Sequence, residues 1–109
     1  MPTVYILQES DQDFSDAKRF GNIVVILVGK VPDQVKACSV VYGRLLQHLQ
    51  PGDFIVPTGS PMVILAAGAA MRQLQENEAV MSCGKNHLIF NILLWNRKTL
   101  NYDVAKWIP

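Results

Sequence analysis

The segment Thr58-Gly59-Ser60 has the composition of an anion-binding helix start. Ser60 is a good N-cap residue, and Pro61 after it suits the first position of a helix. A helix N-terminus presents free backbone N–H groups and the positive end of the helix dipole, which attract a phosphate or a carboxylate. Lys30 follows a strand-like run, so its ammonium would join this site if the two preceding strands are parallel. We predict a ligand site formed by Lys30, Thr58, Gly59 and Ser60, with an ordinary helix cap as the alternative.

A second group of residues, near the C-terminal end, combines cations with aromatic rings. Aromatic and arginine residues dominate the energetics of protein interfaces. Rings beside cations also bind single-stranded nucleic acid, but the formal net charge of +1 disfavours such a partner. A hairpin with a charged tip that limits aggregation is the alternative that needs no partner. We predict that the residues contacting a partner protein are Trp95, Arg97, Lys98, Tyr102 and Trp107.

The cysteines and histidines are residue types that zinc accepts, but their spacing is not that of a zinc site. No paired knuckle is present, so a buried thiol and a solvated histidine explain Cys38 and His48 better. Cys83 with Lys85 and His87 would suit a nucleophilic thiolate, which needs a base and an electropositive setting. A cysteine that lies in a loop by chance is the simpler interpretation. We predict neither a metal ion nor a cofactor.

Four acidic residues follow the first apolar segment: Glu9, Asp11, Asp13 and Asp16. Carboxylates at the end of a strand can bind Mg²⁺ and support nuclease-like chemistry. A polar connector is also where acidic residues are expected for solubility and for capping. The sequence places no nucleophile, base and orienting group together, so we predict no catalytic residue and favour a protein that is not an enzyme.

These residues need a scaffold, and runs of β-branched and aromatic residues predict five strands for it. The near-continuous apolar run at 22–29 is typical of a strand buried on both faces. The last two strands are joined by a hairpin turn, and a helical turn is expected near 15–18. The predicted strands cover residues 3–8, 22–29, 53–57, 87–95 and 100–108.

Two longer helices are predicted between the strands. The first covers 32–50 and buries a stripe at helical spacing that consists of Val35, Cys38, Val41, Tyr42, Leu45 and Leu49. The second covers 62–75 and is apolar on all sides over its first ten residues, which indicates that more than one side is covered. The order β-β-α-β-α-β-β predicts one α/β domain over 1–109, a two-layer or three-layer sandwich. Its mixed sheet would have a parallel centre and a C-terminal antiparallel hairpin.

The composition predicts an apolar surface on this domain. Of the 109 residues, 50% are hydrophobic and only 17% are charged, a smaller charged fraction than in average globular proteins. Some apolar surface should therefore stay exposed for a partner protein or a second copy. The longest apolar run is too short to span a bilayer, the N-terminus lacks a basic leader, and two cysteines are too few for a disulfide framework. We expect a cytoplasmic protein without membrane contact.

Three stretches of the chain also carry a resemblance. They are Val4-Tyr5-Ile6-Leu7-Gln8 with Asp13-Phe14-Ser15 and Arg19-Phe20-Gly21; the segment 51–61; and Leu93-Leu94-Trp95-Asn96-Arg97 with Tyr102. Together they resemble small proteins encoded by tailed bacteriophages, over most of the chain. The resemblance implies a phage gene expressed in a bacterial cytoplasm, and it implies no activity. The pattern often has an acidic residue where this chain has Asn96, so no role of that acid carries over.

The sequence thus favours a non-catalytic accessory protein that binds a host or phage protein or associates with its own copies. The alternative is an α/β domain that binds a nucleotide, a phosphate or another small ligand, with or without metal-dependent nuclease-like chemistry.

Overall fold

The computed structural model describes residues 1–81 and 88–108. The elements found there follow the predicted order β-β-α-β-α-β-β, and a short 3₁₀ helix at Ser15–Arg19 lies where a helical turn is predicted. Gly84-Lys85-Asn86 has the composition of a turn, and this segment and the predicted strand start at His87 lie outside the described residues. The bounds are β1 (Thr3–Gln8), β2 (Asn22–Leu27), α1 (Gln34–His48), β3 (Phe54–Val56), α2 (Pro61–Met81), β4 (Phe90–Asn96) and β5 (Asn101–Trp107).

The strands form one five-stranded sheet in the order β2-β1-β3-β4-β5. β1 pairs in parallel with both β2 and β3, and β3 pairs in parallel with β4. β5 returns antiparallel to β4 and pairs with its whole length, from Phe90 opposite Trp107 to Asn96 opposite Asn101. The predicted mixed sheet with a parallel centre and a C-terminal antiparallel hairpin is confirmed.

The two faces of the sheet are covered by different elements. β2 and β3 lie on opposite sides of β1, and right-handed crossovers then require their connections to cross opposite faces. α1 and α2 pack together on one face, where Val41, Leu45 and Val63 are buried. On the other face Ala17 of the 3₁₀ helix packs with Ile6 and Leu93. The fold is therefore a sheet between a pair of helices and a thin 3₁₀ layer.

The predicted end of α2 is wrong, because the helix continues past 75 to Met81. Side chains four residues apart support the extra turns. Arg72 Nε lies 3.2 Å from Glu76 Oε1, and Gln73 Nε2 donates to Asn77 Oδ1 at 2.9 Å.

Two predictions about burial are also corrected. The predicted stripe of α1 is confirmed at Val41, Leu45 and Leu49, but Val35 is 80% exposed and Ala37 is buried in its place. β2 is an edge strand whose first residues are only partly buried. The strand is apolar because both of its faces are covered. Ile26 packs into the core on the side of the helices, and Ile23 packs into the core on the side of the 9–21 connector.

Candidate functional site

The carboxyl ends of β1, β2 and β3 border a crevice of about 740 Å³. After β1 the chain turns toward β2, and after β3 it turns toward β4, so adjacent strands continue in opposite directions. Open α/β sheets bind ligands at such a topological switch point. The crevice is lined by Gln8, Glu9, Ser10, Asp11, Gly29, Lys30, Val31, Pro32, Gln34, Gly59 and Ser60.

The crevice contains three of the four residues predicted to bind a ligand, Lys30, Gly59 and Ser60. The fourth, Thr58, uses its hydroxyl on the neighbouring strand. Thr58 Oγ1 donates to the Gln8 carbonyl at 2.7 Å and accepts the Gln8 N–H at 3.3 Å. Thr58 therefore extends the contact between β1 and β3 and supports the crevice wall.

The turn at Gly59 is shaped by the side chain of Gln8. Gly59 has a φ of +107°, and a Cβ there would lie 2.5 Å from Gln8 Oε1. Gln8 Nε2 donates to the Gly29 carbonyl at 3.0 Å, and Glu9 Oε2 accepts the Gly29 N–H at 3.0 Å. Gln8 and Glu9 thus tie the turn after β2 to the end of β1, and glycine at 59 leaves room for this arrangement.

The start of α2 is capped as predicted. Ser60 Oγ accepts the Val63 N–H at 3.3 Å and donates to Gln34 Oε1 at 2.7 Å. The second bond joins the start of α2 to the start of α1. With the Ser60 hydroxyl engaged, the charged groups along the crevice are the Lys30 ammonium and the carboxylates of Glu9 and Asp11.

The acidic residues after β1 do not converge on one point. Asp13 Oδ1 accepts the Ser15 N–H at 2.9 Å, and this backbone hydrogen bond lowers the pKa of Asp13. Asp16 Oδ2 accepts the N–H of Tyr102 at 3.1 Å, and neither residue lines the crevice. Across 1–81 and 88–108 no three His, Cys, Asp or Glu side chains are grouped to hold a metal ion. The carboxylates of Glu9, Asp13 and Asp16 each accept a backbone N–H group.

Cys38 and His48 lie on the same helix but do not share a site. Cys38 is a half-buried free thiol of α1. His48 is exposed at the last position of α1, about 15 Å further along the helix axis. The other proposed metal or nucleophile residues, Cys83, Lys85 and His87, lie outside the described residues.

The aromatic residues of the terminal hairpin lie on two different faces of the sheet. The rings of Trp95 and Tyr102 meet edge to face at 5.1 Å, and Tyr102 is buried beside the 3₁₀ helix. Trp107 lies on the helix-covered face, where its ring packs against Gly68 of α2. Arg97 and Lys98 are exposed at the hairpin tip. The alternation of side chains along β5 separates residues that the sequence grouped together.

A second cavity, of about 580 Å³, lies between α2 and the β4–β5 hairpin, and we call it the apolar groove. Leu65 is 66% exposed and Trp107 37% exposed beside it. The apolar character of 62–71 predicted cover on more than one side of this helix, but Met62 and Leu65 remain exposed. The second wall of the groove comes from the β4–β5 hairpin. The groove is lined by Leu7, Ile55, Pro57, Ile64, Leu65, Ala67, Gly68, Ala69, Met71, Ile92, Leu94, Ala105, Lys106 and Trp107.

None of the helices in the described parts of the chain has both the length and the apolar character needed to cross a membrane.

Comparison with known proteins identifies the family. Residues 2–107 match the family model described as Phage Pam3 gp32-like protein. No curated protein and no solved structure matches the chain. The resemblance to phage proteins that three stretches of the sequence indicated is confirmed over nearly the whole chain. The chain belongs to the Phage Pam3 gp32-like protein family, a family of phage proteins.

Proposed function

We propose that this phage protein is a non-catalytic accessory factor that binds another protein in the cytoplasm of the bacterial host. The observation that carries the proposal is the apolar groove, with Leu65, Leu94 and Trp107 exposed around it. An exposed cluster of large apolar side chains marks interaction sites on soluble domains. Tryptophan in such a place is the residue type that most often dominates binding energy.

The groove is open because two helices do not cover five strands. Strands in a sheet are about 4.8 Å apart and packed helices about 10 Å apart, so two helices cover about four strands. The helix-side face is therefore only partly covered at its β4–β5 end: Phe90 of β4 is buried there, whereas Leu94 and Trp107 remain partly exposed. This space suits one further helix, and we propose that an amphipathic helix of the partner docks there by its apolar face.

The hairpin tip extends this surface with polar residues. Arg97 and Lys98 are exposed at the tip, beyond Leu94. A basic rim around an apolar centre steers and orients an acidic partner, mainly through the association rate. The proposed partner helix therefore has acidic residues at the end that meets the tip. Trp95, which is exposed on the opposite face, would contact a partner that wraps around the tip.

Affinity capture from phage-infected bacteria tests the groove. Leu65→Glu places a charge in the groove, whereas Val35→Glu places one at an exposed apolar position of α1 that is outside the groove. We expect one stoichiometric protein to bind the wild type and Val35→Glu, and its recovery to fall more than about tenfold with Leu65→Glu. Unchanged capture by Leu65→Glu would overturn the groove as the binding site. Arg97→Ala with Trp95→Ala tests the tip in the same way.

A second function is favoured by the crevice, where Lys30, Gly59 and Ser60 meet at the topological switch point. We propose as the second candidate a small ligand with a phosphate or carboxylate held by Lys30. A ligand present at about 100 times its Kd stabilises a protein by about 2.7 kcal/mol. A nucleotide and phosphate panel in a thermal-shift assay should then raise the Tm of the wild type and of Lys36→Gln, but not of Lys30→Gln. No shift with the whole panel would remove this candidate.

A further inference from the structure

The outer edge of β5 presents backbone groups of three residues. Those of Tyr102 are hydrogen-bonded, whereas those of Val104 and Lys106 are open. Asp16 Oδ2 accepts the Tyr102 N–H at 3.1 Å, and Arg19 Nη2 donates to the Tyr102 carbonyl at 3.2 Å. The backbone of Tyr102 therefore faces away from β4. Alternate residues of an antiparallel strand face the same way, so the N–H and C=O of Val104 and Lys106 also face outward. In the described part of the chain these groups find no hydrogen-bond partner.

We propose that this open edge binds the same edge of a second copy, antiparallel, around a twofold axis at Ala105. Val104 of one copy would then pair with Lys106 of the second copy, and the reverse. The open groups are placed symmetrically about Ala105, so such a pair forms about four backbone hydrogen bonds. The two sheets would join into one continuous sheet through an isologous contact.

Other registers are excluded by neighbouring groups. An axis at Val104 would need the backbone of Tyr102, which Asp16 and Arg19 already occupy. An axis at Lys106 would place two lysines directly opposite each other, which is destabilising.

With the axis at Ala105, no two side chains of like charge lie directly opposite each other. It places Lys106 opposite Val104 and Asp103 opposite Trp107. The net charge of +1 adds little repulsion between whole copies.

The edge carries few of the devices that keep edge strands from pairing. Natural edges are protected by proline, bulges, charged side chains such as lysine, or a covering element. The one lysine of β5, Lys106, donates its ammonium to Asn91 Oδ1 of β4. β5 contains no proline, and its exposed Val104 is β-branched and apolar. Two paired edges of this length bury less than the roughly 800 Å² per partner of a standard interface. The expected dimer is therefore weak and depends on protein concentration.

This inference goes beyond the groove function proposed above, because it uses the outer backbone edge of β5 and not the helix-side face of the hairpin. Ala105, Lys106 and Trp107 of β5 also line the groove, but Leu65 lies on α2 and Val104 does not line the groove. Leu65→Glu therefore leaves the β5 edge unchanged, and the changes at Val104 replace no residue of the groove. Each can therefore fail without the other.

Sedimentation velocity of the full chain over a wide concentration range tests the dimer. Val104→Pro removes an outward N–H that β4 does not use, whereas Val104→Thr keeps both the N–H and the branched shape. We expect the wild type and Val104→Thr to dimerise alike, and Val104→Pro to associate at least about thirtyfold more weakly, because two hydrogen bonds are lost per dimer. A wild type that stays monomeric at every concentration, or a Val104→Pro that dimerises equally, overturns the proposal.

Amide hydrogen exchange of the wild type decides the question even if Val104→Pro fails to fold. The amides of Val104 and Lys106 should be protected at high protein concentration and exchange at least about tenfold faster at low concentration. The Tyr102 amide should be protected at both, because Asp16 binds it within one chain. Fast exchange of Val104 and Lys106 at every concentration contradicts the dimer.

Discussion

The carboxylate of Asp16 accepts the backbone N–H of Tyr102 at 3.1 Å across a separation of 86 residues in the chain. Arg19, three residues after Asp16, donates to the carbonyl of the same Tyr102 and pairs with Asp16 at 3.2 Å. Gln12 Nε2 donates to the Tyr102 hydroxyl at 2.8 Å. Three side chains of the 9–21 connector thus hold one residue of β5. They attach the terminal hairpin to the connector, which covers the sheet face opposite the helices.

Replacing Asp16 should therefore loosen the hairpin. Asp16→Ala leaves the Tyr102 N–H without its acceptor and is expected to lower the free energy of unfolding by about 1–2 kcal/mol. Asp16→Asn keeps an acceptor oxygen and loses only the partly exposed ion pair, so its cost should be smaller. Urea denaturation measures both, with Asp11→Ala as the control at an exposed acidic position. Equal stabilities of Asp16→Ala and Asp11→Ala would contradict this account.

Glycine at 59 is required for two reasons that can be separated. Both Gly59 and Gly52 have a positive φ, of +107° and +88°, which strains an alanine. At Gly59 the added Cβ would also collide with the Gln8 side chain, whereas at Gly52 it would enter open space. We expect Gly52→Ala to cost about 1 kcal/mol and Gly59→Ala at least about 1 kcal/mol more. Thermal unfolding of both variants gives the comparison. Adding Gln8→Ala to Gly59→Ala should recover part of the loss, and strict additivity of the two changes would argue against the steric contact.

Gln75 joins α2 to the segment before β4 and to the end of β5, which lie side by side at the open end of the hairpin. Its amide Nε2 donates to the carbonyls of Leu88 and Trp107, each at 3.0 Å, and the side chain is 3% exposed. Gln75→Leu keeps the apolar volume but removes the donor for both carbonyls, so we expect a loss of about 1–3 kcal/mol in unfolding free energy. Gln73→Leu, which removes only a surface bond to Asn77, is the control and should cost far less. A smaller effect at Gln75 than at Gln73 would show that the two carbonyls need no donor.

Tyr102 should make the stability fall at alkaline pH. Burial raises the pKa of Tyr102, partly offset by the hydrogen bond from Gln12. Because the folded state holds this proton more tightly than the unfolded state, the contribution is complete below the unfolded pKa of about 10 and is lost as the pH rises through the folded value. Phenolate absorbance of the wild type minus that of Tyr102→Phe reports the pKa of this group. If the pKa obtained from this difference lies at or below the ordinary value of tyrosine, the prediction is wrong.

Local residue patterns were sufficient to predict the elements and their order. The β-branched run at 3–8 and Ser60-Pro61 at a helix start predict structures that form as expected, because each depends on neighbours within a few residues. The end of α2 was misjudged, since pairs such as Arg72 with Glu76 continue a helix through a polar stretch. The edge position of β2 could not be seen, because an apolar run reports covered faces and not the number of neighbouring strands.

For the candidate sites, the sequence by itself determined the residue types and their approximate neighbours along the chain. It identified Lys30, Gly59 and Ser60, which the strand order then brings to one crevice at the end of β1. Only the tertiary structure decided that α2 and the hairpin enclose the apolar groove and that the Asp16 carboxylate binds the backbone N–H of Tyr102. These relationships join residues far apart in the chain, and they depend on strand order and register, which local propensity does not encode.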